Sequence, residues 1–334
     1  MKLKKIFSGF IYDTYGAIAT ANLLICTLSG IAIAIPFDVN APYDSISRFI
    51  IQNPWADFFR NFHYWSGQLF LIFTIIHTID HFYRKTEGRV KKGVWLRMTI
   101  SVAVTFFVML SGFILKGDAD ALQARRILDA LVRDIPLAGD FLASVLIGKE
   151  GDFQLLYVHH IATATIFLFV VIYEHARYIW TKARTTLITI VVVALLSYFF
   201  RAPLHDNINP VLKGPWYFVG FQEILHWMSH AGWSLLIILV VFLLFYYIPR
   251  LRKENALYAK RILLILLVAY SFLTVIGYFF RGENWQWDSS YIKEAYNPFK
   301  TSKVFFKITS NHFQEIPSVR GRREACLGCH EEVQ

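Results

Sequence analysis

Residues 60–83 read RNFHYWSGQLFLIFTIIHTIDHFY and residues 153–177 read FQLLYVHHIATATIFLFVVIYEHAR. Each run is apolar enough, and long enough, to cross a bilayer core of about 30 Å. Each also carries two histidines: His63 and His77 fourteen residues apart, His160 and His175 fifteen apart. Histidine inside an apolar span is costly and needs a partner, so all four are functional candidates. At about 100° per residue, fourteen residues fall about 40° short of four turns and fifteen about 60° past, so each pair lies on one side of its helix. The rises are about 21 and 22 Å.

Working outward, further apolar blocks predict spans near 15–36, 56–83, 94–115, 153–180, 186–201, 231–249 and 261–280. The chain reads as an all-α, polytopic membrane protein of about seven transmembrane helices, in keeping with its 55% hydrophobic content. Basic clusters at Lys2–Lys5, Arg84–Arg97, Arg177–Arg184 and Arg250–Arg261 all fall on one side, which the positive-inside rule makes cytoplasmic. The 116–152 connection holds seven acidic residues against five basic ones and belongs outside. The N-terminus is expected in the cytoplasm and the C-terminus in the periplasm, as a retained first helix and an odd span count require. A net charge of +10 arranged in this way is a topological signal and gives no support to nucleic-acid binding.

The second and fourth spans run in the same direction. Their matched separations set His63 opposite His160 and His77 opposite His175 at two depths, the arrangement of two bis-histidine haems stacked in a four-helix bundle. His159 points about 160° away from His175, and His81 would need a separation of about 27 Å, so neither is expected to ligate. Gly16 and Gly30 in the first span, also fourteen apart, and Gly112 in the third would let helices approach haem-sized plates.

With these residues in place the sequence resembles the cytochrome b of the cytochrome bc complexes, in particular the chloroplast-type branch, with N- and C-terminal halves fused. Arg60-Asn61-Phe62-His63 is similar to the start of that family's second helix, and Ser111-Gly112-Phe113-Ile114-Leu115 to the end of its third. Gly16, Gly30 and Gly112 match three of four family glycines, while the fourth position holds Met98. The resemblance covers the chain to about residue 280. It implies haem contacts from the three glycines and Arg60, and a quinol-oxidising site at Pro215, Trp216 and Tyr217, where the family carries Pro-Glu-Trp-Tyr. Here the glutamate is missing. Glu223, on an expected short helix with His226 and His230, is the next carboxylate that could take a proton from quinol.

Near the C-terminus, Cys326-Leu327-Gly328-Cys329-His330 is the C-x-x-C-H string of covalent haem c, with two thioether cysteines and His330 as an iron ligand. His312 is the nearest candidate for the sixth ligand. The reading divides the chain into a di-haem bundle (1–185), a three-helix quinol-site part (186–280) and a periplasmic haem c tail (281–334). The resemblance further implies a dimer within a larger complex in a bacterial cytoplasmic membrane, in contact with lipid and the quinone pool. Its partners would be a Rieske-type iron–sulfur protein, c-type cytochromes or both. The expected activity is quinol:cytochrome c oxidoreduction; the alternative is a module that links the quinone pool to a multihaem or iron–sulfur partner without splitting electrons.

Overall fold

The computed structural model describes residues 15–177, 180–229 and 231–288, which are almost entirely helical, with an isolated bridge between Arg281 and Trp287. Helix α1 spans Tyr15–Ala34, α2 Pro42–Gln52, α3 Pro54–Tyr83 and α4 Lys92–Ile114. Outside α4 come α5 (Ala119–Arg133) and α6 (Gly139–Leu146), then α7 (Gln154–Ala176). Helix α8 covers Ala183–Phe199, α9 Trp216–Trp227, α10 Trp233–Tyr247 and α11 Lys253–Phe279. Among the described residues, every predicted span contains a long helix. By length and composition, α1, α4, α7, the Trp233–Arg250 segment and α11 can each cross a membrane. The chain is a multi-pass membrane protein. Asp57, Arg60 and Asp80 make α3 more polar, although its 30 residues reach about 45 Å.

Local signals set the boundaries. Asn53 caps α3 by accepting the Trp55 N–H at 2.9 Å, and Pro54 follows at the first helical position, where a missing N–H is harmless. Asp118 caps α5 through the Ala121 N–H at 2.9 Å. The turn before it needs Gly117, which has φ +67° and would drive a Cβ to 2.8 Å from Pro42. Helix α11 begins earlier than its apolar block because the Lys253–Arg261 stretch continues the helix on the polar side. There Lys260 reaches the buried Glu87 in the turn after α3.

Helices α1, α3, α4 and α7 form the centre. Ala19 and Leu23 of α1, Phe70 of α3 and Leu168 and Val171 of α7 pack into one apolar cluster. A second cluster joins Leu110 and Ile114 of α4 to Ala124 of α5 and Ile147, Phe153 and Leu156 around the start of α7. Burying such side chains contributes roughly 1.5–3 kcal/mol each in water. In lipid the gain is close packing instead. Leu236, Ile237, Leu239 and Val240 of α10 and Leu264, Ile265, Val268 and Phe272 of α11 remain exposed, as side chains facing hydrocarbon should.

Candidate functional site

Two histidine pairs face each other across α3 and α7. The outer pair is His63 and His160, with ring centroids 6.1 Å apart. The inner pair is His77 and His175, with centroids 5.8 Å apart and Nε2 atoms 3.5 Å apart. A haem iron takes one imidazole on each face. Imidazole–metal bonds of about 2 Å would set the two nitrogens about 4 Å apart, so the inner pair is close to the required span.

The outer pair is held by one device used twice. His63 Nδ1 donates to the Cys26 carbonyl at 2.9 Å, and His160 Nδ1 donates to the Val108 carbonyl at 3.0 Å. Each acceptor lies four residues before a glycine that follows a serine: Ser29-Gly30 in α1 and Ser111-Gly112 in α4. A Cβ on Gly30 would come within 3.0 Å of His63 Cε1, and one on Gly112 within 2.5 Å of His160 Cε1. Glycine opens the cradle that lets each ring reach a helix carbonyl. With Nδ1 carrying the hydrogen, the Nε2 lone pair of each neutral ring is left for a metal, the usual second-shell arrangement of a ligating histidine. The donor set and the cradles fit a bis-histidine haem.

The inner pair differs. His77 Nδ1 is buried and makes no hydrogen bond among the described residues. His81, assigned on spacing to a non-ligating role, lies beside the pair, 4.6 Å from the His77 ring and 5.6 Å from the His175 ring. Its Nδ1 meets Thr86 Oγ1 at 2.5 Å. Axial spacing alone did not disclose this neighbour, because His81 sits one turn from His77 on the same face. His159, by contrast, uses both ring nitrogens elsewhere, on Val145 O at 2.9 Å and Thr163 Oγ1 at 2.5 Å.

Fourteen residues on α3 match fifteen on α7 because α7 is not a plain α-helix. It turns to π geometry over His159–Thr163, and a π turn takes in one extra residue. The extra residue is absorbed at the ligand itself.

A cavity of about 900 Å³ opens between the helices, and its walls include His63, His160, Gly30 and Gly112. Toward the outer side the same walls carry Arg60, Pro215, Trp216 and Tyr217. Arg60 holds the connection between α8 and α9 by donating to the carbonyls of Ala202 at 2.9 Å and Pro203 at 2.7 Å. Pro215 caps α9. Trp216 Nε1 donates to Gln68 Oε1 at 2.7 Å, and the Tyr217 hydroxyl donates to Met109 O at 2.8 Å. Gly16 is buried in α1.

Glu223 does not join this group. It is fully buried outside the cavity wall, bonded by Arg281 at 2.6, 2.9 and 3.2 Å and by Trp285 Nε1 at 2.7 Å. Burial alone would raise its carboxyl, but the Arg281 and Trp285 hydrogen bonds outweigh that and hold it below its ordinary value. The expected proton acceptor is therefore an ion-paired lock between α9 and the segment after α11. His226 is exposed. His230, His312, Cys326, Cys329 and His330 lie outside the described residues.

Sequence reasoning did not single out Lys116, Asp120, His205 and Lys213, which line the outer mouth of the cavity. Lys116 Nζ pairs with Asp118 Oδ2 at 2.8 Å, and Lys213 Nζ reaches the Tyr278 carbonyl. Burial pushes the Lys213 amine down to about 8. Two of these pocket residues, Lys116 and Asp120, lie in the acidic 116–152 stretch, whose charges were read for topology alone.

Residues 68–191 match the family model described as Cytochrome b(N-terminal)/b6/petB. Over 148 residues, 42% of this chain, the sequence is 28% identical to the menaquinol:cytochrome c reductase cytochrome b subunit of Bacillus subtilis (strain 168). Over 143 residues it is 23% identical to cytochrome b6 of Prochlorococcus marinus (strain MIT 9515). The chain spans 64% and 66% of the length of these two relatives. The fold is similar to a chain of a hyperthermophilic respiratory Complex III, with a TM-score of 0.61 over 84% of this chain and 85% of that one, at 14% identity. Residues 68–191 are thus similar in sequence to the N-terminal part of cytochrome b, and the helical fold is similar to that of the Complex III chain.

Proposed function

We propose that the chain is the cytochrome b subunit of a membrane quinol:electron-acceptor oxidoreductase that holds two b haems. The observation carrying this reading is the pair of facing histidines at two depths, the outer two with Nδ1 committed to helix carbonyls and Nε2 left for a metal. Haem, when bound, supplies a one-electron carrier at each depth. His63 and His160 hold the outer iron, His77 and His175 the inner. Gly30 and Gly112 admit the rings, and Arg60 braces the outer mouth. Pro215, Trp216 and Tyr217 line a largely apolar recess that would take a quinol ring. Cys326, Cys329 and His330 attach one haem c on the periplasmic side, with His312 as its further ligand. The complex sits in a bacterial cytoplasmic membrane, as a dimer with Rieske-type or c-type partners.

A second reading has one specific observation behind it. Gly214 precedes Pro215 and no glutamate follows it, while Glu223 is sequestered by Arg281. Without the family's acceptor, the chain could serve as a module that passes both quinol electrons along one path. Redox titration of the purified complex with and without outer-site and inner-site inhibitors separates the two. Electron splitting requires reduction of the b haems through the outer site; reduction through the inner site alone contradicts it.

A further inference from the structure

The outer wall of the cavity carries a histidine and a carboxylate with no task so far. His205 lies in the α8–α9 connection with its side chain only 9% exposed. Its Nδ1 accepts the Asn207 backbone N–H at 2.9 Å, so the neutral ring carries its hydrogen on Nε2. That Nε2 is buried and has no hydrogen-bond partner among the described residues. Buried donors are almost always satisfied, and His205 is one of the residues that line the cavity, so a ligand oxygen there would supply the missing partner. Asp120, in the first turn of α5, lines the same cavity. Its Oδ1 accepts the Lys213 N–H at 2.7 Å, which leaves Oδ2 as the carboxylate oxygen to take a proton.

A donor, an acceptor and the aromatic pair Trp216 and Tyr217 on one cavity match a molecule with a flat ring, a hydroxyl to give and a second oxygen to receive. A haem carboxylate could also accept from His205, but Asp120 beside it would repel that anion. We propose that Asp120 is the proton acceptor for quinol at the outer site and that His205 Nε2–H holds the other ring oxygen. This rests on the quinol reading above. The step is a proton transfer: the quinol O–H bond breaks, its proton bonds to Asp120 Oδ2, and the electron pair stays on the quinol oxygen as the mono-anion. No electron leaves the ring in this step.

The charges facing Asp120 are Lys116, Asp118, His205 and Lys213. Burial, the largest influence, and Asp118 raise its carboxyl, while the Lys213 N–H, Lys116 and His205 oppose them; the balance leaves it above the ordinary carboxylate range. A raised carboxyl is better matched to accepting a proton near neutral pH.

The test uses the purified complex with a short-chain naphthoquinol as substrate and the matching naphthoquinone as binding probe. Asp120→Asn should lower kcat about 100-fold, the usual scale of a lost general base, with KM little changed and haem b content intact. Asp120→Glu should restore much of the rate with the acid limb of the pH profile displaced. His205→Leu should weaken naphthoquinone binding about tenfold, as expected for one lost hydrogen bond, without loss of haem. Wild-type rate and pH profile in Asp120→Asn would overturn the proposal while leaving the quinol reading in place. If that variant fails to assemble, an unmoved acid limb in Asp120→Glu overturns it instead. Loss of haem b with unchanged quinone affinity in His205→Leu would assign the N–H to a haem carboxylate and also overturn it. A wild-type complex that oxidises no quinol would sink both readings.

Discussion

His63 and His160 approach each other from opposite helices with ring centroids 6.1 Å apart, each anchored by Nδ1 to the carbonyl four residues before a glycine. The outer pair is thus prepared independently of the inner one, which sits about 21 Å deeper along the helices. Substituting His63 or His160 by alanine should remove one haem b and leave the inner one. The check is a pyridine haemochrome count, with one b haem per chain expected in place of two.

The two cradles are unequal. A methyl group on Gly112 would stand 2.5 Å from His160 Cε1, against 3.0 Å for one on Gly30 and His63. Gly112→Ala should displace its ring and lose the outer haem, whereas Gly30→Ala should keep the haem with an altered low-spin signal. Electron paramagnetic resonance of both variants reads the order, and equal behaviour would count against the cradle argument.

The π turn at His159–Thr163 makes a less obvious prediction. Deleting Ala162 leaves fourteen residues between the α7 ligands, the number that plain α geometry already serves on α3. Both haems should survive the deletion. Inserting one alanine after Ala162 should misalign His160 and cost a haem. Optical quantification of haem b in the two variants decides this.

Glu223 and Arg281 should behave as a stabilising pair. Removing one partner of a buried pair leaves the other charge uncompensated, at a cost of about 3–5 kcal/mol. Glu223→Gln should therefore lower the thermal midpoint of the purified complex. The Glu223 carboxyl is depressed in the fold, so its contribution is present above the unfolded carboxylate pKa of about 4.3 and is lost as pH falls through the lower, folded value. The acid limb of quinol oxidation should be unchanged in this variant.

Much of this architecture was legible in the sequence because it rests on short-range regularities. Apolar blocks gave the helices, and the spacing of His63, His77, His160 and His175 gave the facing pairs that the fold brings together. What stayed hidden depends on contacts far apart in the chain. Glu223 meets Arg281 58 residues later, and nothing near Glu223 announces an arginine. His205 gains its meaning from being buried with an Nε2 that has no hydrogen-bond partner among the described residues, which only the folded α8–α9 connection creates. The π turn is hidden for another reason: spacing converts to angle only where α geometry is uniform, and the mismatch of fourteen against fifteen is its one trace in the sequence.

The central claim is that this chain holds two histidine-ligated b haems that exchange electrons with quinol. Quinol-driven redox titration of the purified complex, followed at the haem b absorbance band, tests it most directly. The account predicts two b-type transitions per chain, both reducible by quinol and reduced to one in His63→Ala. One transition in the wild type, or b haems that quinol leaves oxidised, would contradict it.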